Sequence, residues 1–368
     1  MQSNKPEKVF ELPSGSMPFP VYLPDATFGV VRSVDAQDLE ACGVQGLVMN
    51  VYHLMQKPGS STVQSLGGLH KMSGWNKPII TDSGGFQVYS LVRQNPKFGQ
   101  IQDKGILFYP EGKDRKYQLT PEKSIQLQLS FDADVVICLD DCTHVDDPYE
   151  QQELSVKRTV SWAKRCRDTF DTIVKNKKYS SEARPKIFAV VQGGASLPLR
   201  KQCAEALLEI GFDGYGYGGW PLDAEQNLLT DLLAYTRELI PREFPMHALG
   251  IGHPYNVVTC YRMGYEIFDC AMPTRDARHG RMYRFRSDPA QIDFSGEQNW
   301  LQYVYINDEK HIKGNEPISS YCDCACCQHY SIAYLRHLFK LNDTLFYRLS
   351  TIHNLRLMTQ LMEHLRGV

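Results

Sequence analysis

Ile79-Ile80-Thr81-Asp82-Ser83-Gly84-Gly85-Phe86-Gln87 starts as a short apolar run, ends that run on a carboxylate, and then turns through two adjacent glycines. Such a segment reads as a buried strand whose carboxyl end meets a tight turn, where glycine lets backbone approach a ligand closely. The same rhythm recurs. Apolar or β-branched runs at residues 21–23, 47–50, 135–139, 187–191, 214–218, 247–250 and 267–270 alternate with amphipathic stretches. About eight strands separated by helices predict the α/β class and a closed (β/α)8 TIM barrel.

The intervening segments carry helix signals. Ser33 or Asp35 can cap a helix that passes Leu39 and stops at Gly43, and Thr120-Pro121-Glu122 supplies cap, proline and acid in the expected order. Residues 225–240 form an amphipathic stretch that ends before Pro241. Residues 95–119, rich in Gly, Lys and alternating apolar positions, predict an inserted β-hairpin. The expected organisation is a barrel over residues 1–295 and a small helical, metal-binding subdomain over residues 296–368, packed on the barrel. Neither an internal repeat nor an interdomain linker interrupts it.

With 368 residues the chain has room for one large barrel or two ordinary domains, so size alone does not choose. Its 40 Lys+Arg nearly balance 42 Asp+Glu, which excludes a global basic field and leaves any nucleic-acid contact to a local patch. The start, Met1-Gln2-Ser3-Asn4-Lys5-Pro6-Glu7-Lys8, is polar, and no apolar run is long enough to span a bilayer. The expectation is a cytoplasmic protein with no membrane contact. The odd total of 11 cysteines argues against a secreted disulfide framework; Cys42, Cys166, Cys203 and Cys260 are scattered, whereas four crowd between Cys322 and Cys327.

In a TIM barrel the active site lies at the carboxyl ends of the strands. Polar residues accumulate there: Asp82; Asp140 and Asp141; Gln192-Gly193-Gly194; Gly218-Gly219; and Asp269. One such acid alone is readily a helix cap or an arginine partner, but their recurrence at one barrel end points to chemistry. Paired carboxylates can divide labour at an acetal-like carbon, one attacking while the other moves protons, and an N-glycosidic carbon qualifies. The sequence does not distinguish a nucleophile from a water-activating base. The second cluster, Cys322-Asp323-Cys324-Ala325-Cys326-Cys327 followed by His353, offers three thiolates and an imidazole, a closed tetrahedral zinc shell of structural type.

Asn50-Val51-Tyr52-His53-Leu54, Leu66-Gly67-Gly68-Leu69-His70, Thr81-Asp82-Ser83-Gly84-Gly85-Phe86-Gln87 and Phe268-Asp269-Cys270-Ala271-Met272-Pro273-Thr274-Arg275 together resemble the tRNA-guanine transglycosylase family, in order, from about Phe19 to the last helix. The resemblance implies that Asp269 is the nucleophile that attacks ribose C1′ and expels guanine, and that Asp82 is the general acid/base. It implies that Asp140 reads the base's N1–H and exocyclic amine, with Gln192, Gly218 and Gly219 as further polar contacts. Ser83 falls beside the substrate and Phe86 where an aromatic ring stacks on the base. It also makes Cys322, Cys324, Cys327 and His353 the zinc ligands, although Cys326 offers a spare thiolate.

A basic cluster of Arg275, Arg278, His279 and Arg281 follows the proposed nucleophile, and Arg336, His337 and Lys340 add charge in the tail. By resemblance Arg275 and Arg278 meet tRNA, holding phosphates near the reacting ribose. The loop Gly219-Trp220-Pro221-Leu222 departs from the family, which has small residues and an acid there, where the C7 substituent of the incoming base is met. Pro221 lacks an N–H, so the Trp220–Pro221 peptide only accepts hydrogen bonds and should favour a cationic amine at C7. That predicts preQ1 (7-aminomethyl-7-deazaguanine) or queuine over a nitrile base. Cys142 resembles bacterial preQ1 enzymes and Phe86 with Ala277-Arg278 the queuine-using ones; pocket polarity tilts toward preQ1. Partners implied are tRNA with a GUN anticodon and a second copy of the chain. A noncatalytic tRNA-binding subunit would lack the Asp82/Asp269 pair, a DNA-modifying relative is a further alternative, and an archaeal D-arm enzyme would need an extra module for which no room follows Val368.

Overall fold

The computed structural model describes residues 8–109, 116–294 and 299–367. Eight strands build one parallel sheet: β1 (Val21–Pro24), β2 (Leu47–Asn50), β3 (Ile79–Asp82), β4 (Val135–Ile137), β5 (Lys186–Val191), β6 (Gly214–Tyr217), β7 (Met246–Ala248) and β8 (Ile267–Cys270). Neighbours follow chain order except that β8 pairs with β1. Between β1 and β2 a parallel bridge joins Asp25 to Val48, and the Ala26 amide donates to the Val48 carbonyl at 2.7 Å, which closes the ring. The predicted TIM barrel is therefore present.

Short helical turns fill residues 51–73 between β2 and β3, and the other helices that follow the barrel strands are α1 (Ala36–Ala41), α2 (Gly85–Gln94), α3 (Pro121–Ser130), α4 (Tyr149–Lys177), α5 (Leu197–Ile210), α6 (Thr230–Glu238), α7 (Pro254–Met263) and α8 (Met272–Arg278). Asp35, not Ser33, caps α1: its side chain accepts from the Asp38 amide, while Asp38 returns the bond in a capping box. Thr120 caps α3 through the Lys123 amide, as its sequence predicts.

Several boundaries differ from expectation. The fourth and seventh strands are shorter at their carboxyl ends, finishing at Ile137 and Ala248. The helix expected from residue 225 starts at Thr230. Asp223 accepts the Asn227 amide at 2.7 Å, and this side-chain turn outcompetes the helix over 223–227. The insert is a three-stranded antiparallel sheet, Gly99–Gln102, Gly105–Phe108 and Tyr117–Leu119, where the sequence predicts a two-stranded hairpin.

Period-two alternation divides the barrel residues between two cores. Val21, Leu23, Val48, Ile80, Val135, Ile137, Phe188, Val190 and Ile267 fill the interior. Tyr22, Met49, Ile79, Val136, Ile187, Ala189, Val191, Tyr215 and Phe268 face the surrounding helices. Gly214 opposes Phe188, whose ring lies 2.4 Å from where a Cβ would stand, so glycine on β6 gives the phenyl its place inside. An amino-terminal hairpin that sequence reasoning missed, Val9–Leu12 with Gly15–Pro18, contributes Leu12 and Met17 to this interior. It is tied down by Asp134, whose carboxylate accepts the Ser14 and Ile79 amides, both at 2.8 Å.

After the barrel, the antiparallel pair Arg281–Phe285 and Leu301–Tyr305 leads to α9 (Ala325–His329), α10 (Ile332–Lys340) and α11 (Thr344–Arg366). The middle of α11 is buried almost without interruption from Leu349 to Met362. Asn354 donates to the carbonyls of Pro273 (2.9 Å) and Arg281 (3.1 Å) and accepts the Tyr283 amide (3.0 Å). Arg356 pairs with both Asp323 and Glu363, fixing the cysteine loop to the helix. Among the described residues no helix is long and apolar enough to cross a membrane.

Because Met17 is fully buried against the barrel interior, Met17→Ala should lower the unfolding free energy by about 2–5 kcal/mol in urea titrations. A loss below about 1 kcal/mol would show that the hairpin is not part of the core.

Candidate active site

The alternation that puts Ile80 inside the barrel carries Asp82, two residues on, to its mouth. Val190 delivers Gln192 in the same way, and Ile267 delivers Asp269. Asn50 on β2 lies level with Asp82, whereas His247 on β7 lies level with Ile267, one inward step below Asp269.

Asp82 accepts Asn50 Nδ2 at 2.8 Å and Gln87 Nε2 at 3.2 Å, both on Oδ2. Burial pushes its pKa up to about 6, and the Asp269 charge adds to the rise, against the opposing hydrogen bonds from Gln87 and the turn amides. Asp269 Oδ1 accepts His247 Nε2 at 2.8 Å and the Gly250 amide at 2.9 Å. Its side chain is 15% exposed, so it meets the open mouth.

Asp140 accepts Gln192 Nε2 at 2.7 Å. Burial raises its pKa to about 7; Gln192 opposes the rise while the Asp82 and Asp141 charges add to it. Asp82, Asp140 and Asp269 thus form one electrostatic group. Asp141, next in sequence, points elsewhere: it pairs with Arg158 at 2.6 Å, and its carbonyl accepts Ser155 Oγ. It anchors α4 to the mouth.

Gln192 is fully buried, and its Oε1 has no hydrogen-bond partner, an acceptor left for a ligand or water beside the Asp140 carboxylate. Two glycines make room here. A Cβ at Gly218 would stand 2.5 Å from the Gln192 amide nitrogen, and one at Gly85 would stand 2.9 Å from the Asp140 carbonyl. Arg200, wholly buried, donates to the carbonyls of Gly194 (2.8 Å) and Gly218 (3.2 Å) and lies over the Tyr217 ring. It fixes the Gly218-Gly219 backbone from behind. Ser83 is also fully buried; its hydroxyl accepts the Gly85 amide at 3.2 Å, holding the turn into α2.

Phe86 and Trp220, both more than a third exposed, lie nearly parallel with centroids 6.0 Å apart. They border a cleft of about 380 Å³ that also touches Cys142, His144, Tyr89 and Arg93. Pro221 follows, its carbonyl accepting the Leu229 amide at 2.9 Å, so residues 221–229 fold back as a closed loop.

On α8, immediately after Asp269, Arg275 is exposed and Arg278 half-buried. Burial, then the charges of Arg32 and Arg275, depress the Arg278 pKa, and its Nη1 has no hydrogen-bond partner. The unpartnered Arg278 nitrogen, with the Arg32 and Arg275 charges close by and Asp25 offsetting them only in part, suits an anion. Arg281 does not join them, because Asp276 holds it. In the tail, Arg336 donates to the Asp308 carbonyl.

Cys322, Cys324, Cys327 and His353 come together, all buried, with one candidate ligand atom from each within 4.8 Å of the others. His353 Nε2 lies 2.6 Å from the Tyr283 carbonyl, so that nitrogen carries the proton, and the Nδ1 lone pair faces Cys327 Sγ (3.2 Å) and Cys324 Sγ (3.7 Å). A tetrahedral shell with metal–ligand lengths of about 2.0–2.3 Å has a nitrogen–sulfur edge of about 3.5 Å, and these two separations lie on either side of it. The residues therefore fit a metal ion. Cys326, the spare thiol, lies outside this group although buried.

Residues brought to the mouth without having been assigned a role from sequence are Asn50, Gln87, His247 and Arg200. Asn50 and Gln87 sit within motifs already singled out; nothing in sequence marks Arg200 or His247 beyond their position.

The family model described as queuine tRNA-ribosyltransferase matches residues 8–367. Proteins named queuine tRNA-ribosyltransferase from Psychrobacter sp., Halothermothrix orenii and Mannheimia succiniciproducens are 36%, 35% and 36% identical over 352, 355 and 362 residues. Those matches cover 96%, 96% and 98% of this chain and 86%, 87% and 88% of the relatives. With this barrel and this carboxylate group, the chain belongs to the queuine tRNA-ribosyltransferase family of pentosyl-transferring enzymes.

Proposed function

We propose that the protein exchanges guanine at the wobble position of tRNAs with GUN anticodons for a 7-deazaguanine base, through a covalent Asp269–ribose intermediate. The observation that carries the reading is the pairing of Asp82 with Asp269 at the barrel mouth, beside acceptor oxygens on Asp140 and Gln192.

In the first half-reaction an Asp269 oxygen bonds to ribose C1′ as the C1′–N9 bond breaks, and Asp82 supplies the proton that guanine takes away. In the second, N9 of the incoming base attacks C1′, the Asp269–C1′ bond breaks with its electron pair returning to the carboxylate, and Asp82 accepts the base's proton. A group poised near pH 6 suits both duties. Asp140, whose pKa burial lifts to about 7, gains from a base that presents two N–H donors, so base binding releases a proton near neutrality. The target nucleotide must leave its stack to enter. Arg275 and Arg278 would take flanking phosphates, and Phe86 would stack on the base.

Cys322, Cys324, Cys327 and His353 would hold zinc. A closed four-ligand shell supplies folding energy and no chemistry of its own. For the incoming base, the acceptor-only Trp220–Pro221 peptide favours an amine-bearing C7 substituent, preQ1 by the polarity of the pocket, with queuine the second choice. The family resemblance extends the reading to a cytoplasmic homodimer.

Radiolabelled guanine should enter unmodified GUN tRNA with the wild type and not with Asp269→Asn; exchange in both or neither overturns the reading. Single-turnover guanine release should fall as pH rises through about 6, where Asp82 loses its proton, and this limb should vanish in Asp82→Asn. Cys322→Ser with Cys324→Ser should abolish metal content, measured by atomic absorption, and lower the melting temperature; full metallation with an unchanged melt refutes the ligand set. Pro221→Ala should raise nitrile-base incorporation relative to preQ1, whereas strong nitrile use by the wild type contradicts the acceptor-only loop.

A further inference from the structure

His247 stands on β7 with its ring fully buried, and its Nε2 lies 2.8 Å from Asp269 Oδ1. Its other nitrogen, Nδ1, is buried with no hydrogen-bond partner. A proton there would be an unsatisfied buried donor on a charged ring, a costly state, whereas a bare lone pair costs less. Nε2 therefore carries a hydrogen, and that hydrogen points at Asp269. The Gly250 amide, 2.9 Å away, points at the same oxygen. Oδ1 thus receives two donors, while Oδ2 receives none from the described residues.

We infer that His247 is a positioning residue for Asp269: it reserves Oδ2 as the oxygen that bonds ribose C1′ and makes the carboxylate a better leaving group in the second half-reaction. The inference rests on the covalent reading above. A donor to a carboxylate is stronger than the same donor to a neutral ester carbonyl. When Oδ2 is bonded to C1′, Oδ1 is such a carbonyl. When the incoming base's N9 attacks C1′ and the C1′–Oδ2 bond breaks, the electron pair returns to the carboxylate and Oδ1 regains full hydrogen-bond strength. His247 and Gly250 therefore act most strongly where negative charge reappears, and they ease breakdown of the intermediate more than its formation.

The test compares His247→Met with His247→Gln, side chains of similar reach that differ in an N–H donor, using intact protein and tRNA. In His247→Met, chase of the trapped RNA–protein adduct by added guanine should slow about 10- to 100-fold. The adduct fraction at steady state should rise, with KM for tRNA within about twofold. His247→Gln should recover most of the chase rate. An adduct in His247→Met that turns over at the wild-type rate, or a His247→Gln as slow as His247→Met, overturns the proposal. Asp269→Asn serves as the separate control: if it still forms adduct, the nucleophile assignment fails, whereas failure confined to the His247 variants leaves it standing. Should His247→Met not fold, a structure of the trapped wild-type adduct decides: the C1′ bond belongs on the oxygen remote from His247, and a bond on the His247-bound oxygen overturns the inference.

Discussion

Strand alternation is the constraint on which this molecule depends. A closed parallel barrel must send every second side chain inward, and the interior is filled by Val21, Leu23, Val48, Ile80, Val135, Ile137, Phe188, Val190 and Ile267. On β3, β5 and β8 the residue two places beyond the last interior side chain is carried to the rim on the same inward file. Asp82, Gln192 and Asp269 reach one another because Ile80, Val190 and Ile267 are packed below them. A one-residue slip in any of these strands would send its functional side chain into the helical layer.

Gathering carboxylates in this way raises an electrostatic problem, and the chain meets it with hydrogen-bond donors and, among the described residues, no arginine or lysine. Asn50 and Gln87 serve Asp82, Gln192 serves Asp140, and His247 with Gly250 serves Asp269. The arginine bound nearby, Arg158, goes to Asp141 instead. These donors orient the carboxylates and partly offset the rise in pKa that burial imposes on Asp82 and Asp140, without placing a fixed cation where substrate must bind.

Much of this was legible before the fold was known, because apolar period and strand-end polarity are local signals. Eight runs, the Asp82 turn, Asp269 and the Cys322/Cys324/Cys327 spacing all lie in short stretches. What escaped is non-local. Arg200 looks like any helical arginine until β6 brings the Gly218 carbonyl to it, and His247 looks like a strand residue until β8 sets Asp269 beside it. The amino-terminal hairpin was missed because its buried side chains, Leu12 and Met17, make too short a pattern to stand out. The turn at 223–227 was missed because Asp223 competes for the backbone of a segment whose apolar spacing is helical. The arginine cluster was half legible: sequence grouped Arg281 with its neighbours, but Asp276 claims it.

Adjacent positions on α11 serve two masters. His353 faces the thiols, while Asn354 holds the Pro273 carbonyl in the segment that leaves Asp269. During synthesis the ribosome delivers all eight barrel strands before it delivers this helix. A nascent chain can therefore own a complete barrel and yet lack the brace behind its nucleophile. Completion of the reactive end therefore waits on a segment that leaves the ribosome after every barrel strand, and the same segment carries His353 to the thiols.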